Sequence, residues 1–272
     1  MNNKYLIAID IDGTLLNKNK KISFITKHYL RKLSKKGHIV VLASGRPFHS
    51  LERYYKELKL TGPVICYNGL LAFNPNDKDF KRFGDPYTKE EIKGLKELFF
   101  PEYSKNYMLQ SEKGLYFDRF DKYLAYYFGK NDISIYENSN LDKIDEEIWT
   151  IIFDSNDKEQ NKTILEKVKQ FKNLSVRFWT NDHYYEVFKY GYDKSNALSY
   201  LMNYFNIDRN HVIAFGDADN DVSMFSVAGI SVCMSNSKSK EALSKASLVS
   251  LKDNNHNGIY HSLKYIFKTN SK

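Results

Sequence analysis

Two aspartates stand two positions apart in Asp10-Ile11-Asp12-Gly13-Thr14. They follow a short apolar run, residues 5–9, which reads as a buried strand ending at Asp10. Such a pair can hold a hard cation. One carboxylate can also attack an electrophile while its neighbour moves a proton. Gly13 lets the chain turn sharply and come close to a ligand. The plainer alternative is an Asp-Gly turn with solvated acids, and the buried strand before the pair weighs against it.

Three further segments bear chemistry-capable groups. Ser44-Gly45-Arg46 ends a second apolar run, 39–43, just before a helix opened by Pro47. A hydroxyl and backbone N–H groups at a helix start suit a phosphate oxygen, although Ser-Gly-Arg-Pro alone is also an ordinary loop. Lys194 precedes a helix that begins near residue 195. A single ammonium beside developing negative charge is a common device in phosphoryl transfer, whereas a lysine by itself reads as surface. Gly216-Asp217-Ala218-Asp219-Asn220-Asp221 follows the apolar run 212–215. Its alternating acids resemble a calcium loop, but Val222 stands where that loop needs Gly and Ala228 where it needs Glu. Beside the Asp10 strand end, this loop could instead complete an oxygen-rich Mg2+ site, with Asn220 adding an amide.

Each segment follows, or is placed to meet, the carboxyl end of a predicted core strand, where ligands bind in open α/β sheets. The runs 5–9, 39–43 and 64–67 are apolar throughout, as in a parallel sheet covered on both faces. A helix over 23–36, capped by Ser23 and stopped by Gly37, places Ile25, Tyr29, Leu30 and Leu33 on one face. Residues 70–73 and 80–83 read as a hairpin around Asn74-Pro75-Asn76-Asp77. The style then changes. A helix over 89–99 precedes a hairpin of 107–110 with 115–117 and a helix over 120–129. Strands at 149–153 and 176–180 flank a helix carrying Ile164, Leu165, Val168 and Phe171, and a strand at 184–188 follows. The earlier pattern returns with a helix over 195–205, strands at 212–215 and 230–233, and a short helix over 221–227. The expected fold is α/β: a Rossmann-like doubly wound parallel sheet built from residues 1–83 and 186–272, with an α+β unit inserted at 84–185.

The order of the four segments resembles the haloacid dehalogenase (HAD) superfamily of aspartate-nucleophile phosphotransferases. Its signature is D-x-D-G-T, a Ser or Thr after the second strand, a Lys, then G-D-x-x-N-D. All stand in that order here. Tyr67-Asn68-Gly69 and Asn257-Gly258-Ile259 are similar to Asn-Gly segments of the Cof-type subfamily, and the insertion matches its mobile type IIB cap. Departures are Ser195 after the lysine, where Gly is usual, and Cys233-Met234-Ser235-Asn236-Ser237 for a usual A-M-G-N-A. The resemblance implies that Asp10 attacks phosphorus to form an aspartyl-phosphate. Asp12 would protonate the leaving oxygen and then deprotonate the hydrolytic water. Mg2+ would be held by Asp10, the Asp12 backbone carbonyl and Asp217, with Asp221 supporting them from behind. Ile11, Ser44, Gly45, Lys194 and Asn220 would hold the phosphoryl oxygens. The implied activity is Mg2+-dependent hydrolysis of small phosphorylated metabolites, foremost sugar phosphates, with the inserted cap selecting among them. A phosphomutase, or a regulator that binds sugar phosphates without turnover, is the alternative on the same fold.

Composition bounds the remaining classes. The chain has 272 residues, 42% of them hydrophobic and 27% charged, which suits a globular protein with a real core. No apolar run approaches the roughly 20 residues that span a bilayer, so no membrane role is expected. Five apolar residues after Met1-Asn2-Asn3-Lys4 are too few for a signal-peptide core, and Cys66 and Cys233 both lie in apolar runs. Together these point to free thiols and a cytoplasmic protein. The net charge is +8, and residues 1–83 alone carry +10. A solvated helix face explains that excess better than nucleic-acid binding, which is therefore not expected. Aromatics form 15% of the chain, several in the insert (Tyr103, Tyr107, Tyr123, Tyr126, Tyr127, Trp149 and Trp179), and they read chiefly as core. A monomer or weak dimer is expected.

Overall fold

A computed structural model describes residues 4–128, 133–155, 157–179 and 183–269. The chain forms two compact units, one made of Met1–Gly84 with Asp193–Lys272 and the other of Asp85–Tyr192. The first half of the first unit comprises β1 (Leu6–Ile9), α1 (Phe24–Lys35), β2 (Ile39–Leu42), α2 (Phe48–Leu58), β3 (Val64–Cys66), β4 (Leu71–Phe73) and β5 (Phe83–Gly84). The second unit comprises α3 (Lys89–Phe99), β6 (Tyr107–Gln110), β7 (Gly114–Phe117), α4 (Lys122–Phe128), β8 (Ser134–Tyr136), β9 (Thr150–Asp154), α5 (Asn161–Val168), β10 (Leu174–Phe178) and β11 (Tyr184–Lys189). The chain then returns through α6 (Lys194–Phe205), β12 (Val212–Gly216), α7 (Val222–Val227), β13 (Ile230–Cys233), α8 (Lys240–Lys245), β14 (Leu248–Val249) and α9 (Gly258–Thr269).

The first unit is built on a parallel sheet of order β14-β13-β12-β1-β2. A parallel bridge from Ala43 to Ile65 leads on to β3. Leu6, Ile7, Ala8 and Ile9 are wholly buried, as expected for a central parallel strand covered on both faces. Burying each large side chain contributes roughly 1.5–3 kcal/mol. Register then decides what lies beyond the strand ends. Ile9 pairs with Leu42 on one side and Phe215 on the other. Asp10, Ser44 and Asp217 therefore leave the sheet together at the carboxyl ends of its strands, although they are far apart in sequence.

Helix α1 has its expected Ser23 cap, whose hydroxyl accepts from Thr26 N–H at 3.2 Å. Its buried face is Thr26, Leu30 and Leu33, while Ile25 is exposed. Thr26, one turn before Leu30, takes the place assigned to Ile25. Leu165 is likewise exposed, leaving Ile164 and Val168 as the inner face of α5. The expected 70–73/80–83 hairpin is displaced. Strand β4 pairs antiparallel with both β3 and β5, and β5 enters only at Phe83 and Gly84. Phe80 instead lies in a loop and fills the core with its ring.

The second unit carries a sheet of order β10-β11-β9-β6-β7-β8, antiparallel except for β7 with β8. Phe99, Phe153 and Tyr185 pack ring against ring at its centre. The sequence reading ended the insert at residue 185. Strand β11 instead runs on to Lys189, paired with β9 and β10, so 186–192 belong to the second unit. The reason is an ion-pair cluster inside that unit. The Lys189 side chain is buried and sits 2.9 Å from Asp85 and 3.0 Å from Glu91. Gly129 and Thr180, placed in a helix and a strand from sequence, lie outside the described residues. No helix among the described residues is long and apolar enough to cross a membrane.

Candidate active site

Asp10 follows β1, and its backbone N–H donates to Phe215 O at 2.9 Å. Its carboxylate accepts from the Lys194 ammonium at 2.8 Å, and the same ammonium reaches Asp221 at 2.6 Å. Lys194 and Asp221 are wholly buried. Asp193 caps α6 by accepting from Ser195 N–H at 2.7 Å and Asn196 N–H at 3.0 Å, which fixes the helix start that carries the lysine. Asp221 spends its other oxygen on Asp217 N–H at 2.9 Å and Ala218 N–H at 3.0 Å, so it shapes the loop it ends.

Asp10, Asp217 and Asp221 each place a carboxylate oxygen within 4.8 Å of the others. Thr14 donates to Asp217 at 2.8 Å. Gly13 is needed on two counts: its φ is +79°, and a Cβ there would fall 2.2 Å from an Asp217 oxygen. The electrostatics record this crowding. Burial pushes the Asp10 carboxyl up to about 8, with Asp221 and Asp217 adding to the rise and Lys194 opposing it. Burial likewise raises Asp217 to about 6, against the pull of the Thr14 hydrogen bond. Burial works to discharge Lys194, but Asp10 and Asp221 overcome it and hold the ammonium above its usual range. Hard oxygen donors, clustered and short of positive charge, fit a small divalent cation.

Asp12 points elsewhere. Arg46 grips it with two nitrogens, each at 2.6 Å, and Lys20 adds a contact at 2.7 Å. Burial works upward on this carboxyl, yet Arg46 and Lys20 hold it below the usual carboxylate range. Ile11 has a buried side chain, and its carbonyl accepts from Leu15 N–H at 3.1 Å and Leu16 N–H at 3.0 Å, which leaves its amide as the group it can offer a ligand. Ser44 is buried and accepts from Arg46 N–H at 3.2 Å. Gly45 lies against the Asn68 amide, and the Asn220 amide donates to Asn68 at 2.8 Å. All the anticipated site residues thus belong to the first unit.

Arg46 and Asn68 belong to the Ser44-Gly45-Arg46 and Tyr67-Asn68-Gly69 segments, where the sequence alone gives neither a role. Adjacency to Ser44-Gly45 was the signal for Arg46. Lys20 had none, because its place depends on a left-handed loop residue, φ +55°. Asn236 was seen only as part of a departure from the family pattern, yet it donates to Gly13 O at 2.8 Å and braces the turn after Asp12.

The comparisons with known proteins agree with this geometry. Residues 7–263 match the haloacid dehalogenase-like hydrolase family. A Bacillus subtilis protein, the 5-amino-6-(5-phospho-D-ribitylamino)uracil phosphatase YitU, is 30% identical over 236 residues, covering 85% of this chain and 87% of its own. The crystal structure of TM0651 from Thermotoga maritima is 26% identical, with a TM-score of 0.81 over 96% of this chain and 97% of that one. The HAD subclass IIB sugar phosphatase BT4131 shares the fold at 19% identity, with a TM-score of 0.76 over 97% and 99% of the two chains. With residues 7–263 matching the family and a curated phosphatase 30% identical over most of its length, the chain belongs to the haloacid dehalogenase-like hydrolases, as a phosphatase.

Proposed function

We propose that this phosphatase hydrolyses small phosphorylated metabolites, foremost sugar or sugar-alcohol phosphates, with Mg2+ and through a phosphorylated Asp10. The observation that carries the reading is the buried Lys194 ammonium, 2.8 Å from Asp10 and 2.6 Å from Asp221, beside Asp217. Asp10 and Asp221 are buried at a strand end, with half-buried Asp217 beside them. Placing them there is costly unless cations offset them. YitU, whose named substrate bears a phosphoribityl group, supports the substrate class.

In this reading an oxygen of Asp10 forms a bond to phosphorus as the bond to the leaving oxygen breaks. Asp12 gives that oxygen a proton. Asp12 then takes a proton from water as the water attacks phosphorus, which releases inorganic phosphate and restores Asp10. Both Asp12 oxygens are engaged by Arg46 in the present conformer, so donation requires Asp12 to turn away. Ser44, Gly45, Lys194, Asn220 and the Ile11 amide receive the phosphoryl oxygens. Asp10, Asp217 and the Asp12 carbonyl would hold Mg2+, with Asp221 behind them. A bound divalent cation supplies positive charge that offsets the repulsion between carboxylates and a phosphate dianion. Selection among substrates is assigned to the second unit.

The test is release of inorganic phosphate across a panel of phosphorylated sugars, sugar alcohols and nucleotides with Mg2+, for the parent and Asp10→Asn. We expect release by the parent, its loss in EDTA, and none by the folded variant. A variant keeping even a tenth of the parent rate refutes the nucleophile. Isomerised phosphate without net release indicates a mutase, and no turnover on the panel indicates a binding regulator.

A further inference from the structure

Tyr67-Asn68-Gly69 has no part in the chemistry above, yet its backbone is unlike the rest of the first unit. All three residues are left-handed, with φ of +50°, +54° and +99°. For tyrosine and asparagine this conformation is disfavoured, and it persists only where the surroundings impose it. The surroundings here are the phosphoryl-binding segments. Tyr67 N–H donates to Arg46 O at 3.3 Å and Asn68 N–H to Ser44 O at 3.0 Å. A Cβ on Gly69 would fall 2.1 Å from the carbonyl of Asp193, the residue capping the helix that bears Lys194. A Cβ on Gly45 would lie 2.9 Å from the Asn68 side-chain oxygen, so that amide is packed flat on the Gly45 backbone. Asn220 then donates to the same oxygen at 2.8 Å. One strained turn therefore touches Ser44, Gly45, Asn220 and the start of the Lys194 helix.

From this we infer that Asn68 is a positioning residue: its amide sets the Asn220 side chain and the Gly45 backbone in place for the phosphoryl group, without acting on the metal-binding carboxylates. The inference rests on the proposed phosphatase chemistry and divides it into two separable parts. One is a carboxylate cluster that answers to the cation. The other is an anion cradle whose shape depends on the turn. Glycine at 68 keeps the left-handed backbone while deleting the amide, whereas alanine also strains the turn.

The experiment compares parent, Asn68→Gly, Asn220→Ala and the double variant by phosphate-release kinetics with Mg2+ and by thermal melting. Inorganic phosphate serves as competitive inhibitor, and Mg2+ is titrated for half-activation. We expect Asn68→Gly to melt within a few degrees of the parent and to raise the phosphate inhibition constant about tenfold. Its Mg2+ half-activation should stay within twofold. Adding Asn220→Ala should produce little further change, because the two amides act as a unit. A purely structural role would lower the melting temperature or weaken Mg2+ and phosphate together, and either result overturns the inference. An unchanged phosphate constant in Asn68→Gly overturns it as well, while parent activity leaves the phosphatase reading standing. A parent that releases no phosphate overturns that reading and this inference with it.

Discussion

Replacing Lys194 with methionine tests the electrostatics most directly. The ammonium is wholly buried between two carboxylates at 2.8 and 2.6 Å. Removing one partner of such a cluster costs about 3–5 kcal/mol, because the remaining charge stays buried. The structure says where in that range the value falls. Asp10 already holds its proton up to about 8, so at pH 6 it escapes most of the penalty by staying neutral. Asp221 keeps the Asp217 and Ala218 N–H groups. The loss at pH 6 should be about 3 kcal/mol and should grow toward 5 at pH 9, because above about 8 the parent gains an ionised Asp10 paired with Lys194, whereas the variant has lost the cation that favours that ionisation. At about 2–4 °C per kcal/mol, the pH 6 loss corresponds to a melting shift on the order of 6–12 °C. Turnover should fall by about 2–4 kcal/mol of transition-state stabilisation, roughly 30- to 900-fold in kcat/KM. Both tryptophans, Trp149 and Trp179, lie in the second unit, so far-UV circular dichroism in EDTA is the suitable monitor of melting. Melting temperatures within 2 °C of the parent at both pH values, or kcat/KM within threefold, would refute the reasoning.

Gly13→Ala should cost about 100-fold in kcat/KM, since its Cβ would displace Asp217 from 2.2 Å; parental Mg2+ half-activation and rate would contradict that placement. Mg2+ binding to the metal-free protein should release protons and tighten as pH rises toward 8, because burial keeps Asp10 protonated to about 8 and Asp217 to about 6. Calorimetry in two buffers of different ionisation enthalpy measures this, and equal apparent enthalpies near pH 6.5 would exclude it. His38 is held below its usual range by burial, with Lys36 adding to the effect, and its ring accepts from Tyr5 N–H at 3.1 Å. Protonating it costs the folded state, so its stability contribution is present above about 6.5 and is lost as pH falls through the lower folded value. His38→Gln should therefore lose less melting temperature than the parent between pH 7 and pH 5.5, and parallel curves would count against it.

What the sequence made legible is what local rules control. The strands β1, β2 and β12 are unbroken apolar runs, and the helix expected over 89–99 is α3, whose start the structure shows to be held by a Thr88/Glu91 capping box. The departures have separate causes. Strands β8 and β14 are short and exposed, so neither has a buried face to leave a period in the sequence. The extension of β11 to Lys189 is settled by Asp85 and Glu91, partners about a hundred residues away that no window along the chain contains. The hairpin at β4 and β5 is displaced by a near neighbour, because β4 pairs with β3 as well as with β5, which begins only at Phe83.

The same division runs through the site. Asp10, Asp12, Ser44, Lys194, Asp217 and Asp221 were legible because each sits at a fixed offset from an apolar strand or a helix start. The sheet register then carries Asp10, Ser44 and Asp217 to the carboxyl ends of neighbouring strands, while the Asp193-capped start of α6 delivers Lys194. Lys20 and Asn68 were not assigned roles, because each depends on a left-handed backbone, φ +55° and +54°, that only packing imposes. The two classes also differ in chemistry. Residues delivered by strand ends and a capped helix start supply the carboxylates and the ammonium, whose energies are large and pairwise. Those delivered by strained loops adjust them: Lys20 engages Asp12, and Asn68 orients Asn220. A strand end is rigid enough to hold charges that repel one another, whereas a turn held by a few hydrogen bonds is not. The fold accordingly keeps its strongest electrostatics on the sheet and leaves fine placement of the phosphoryl-binding groups to the turns.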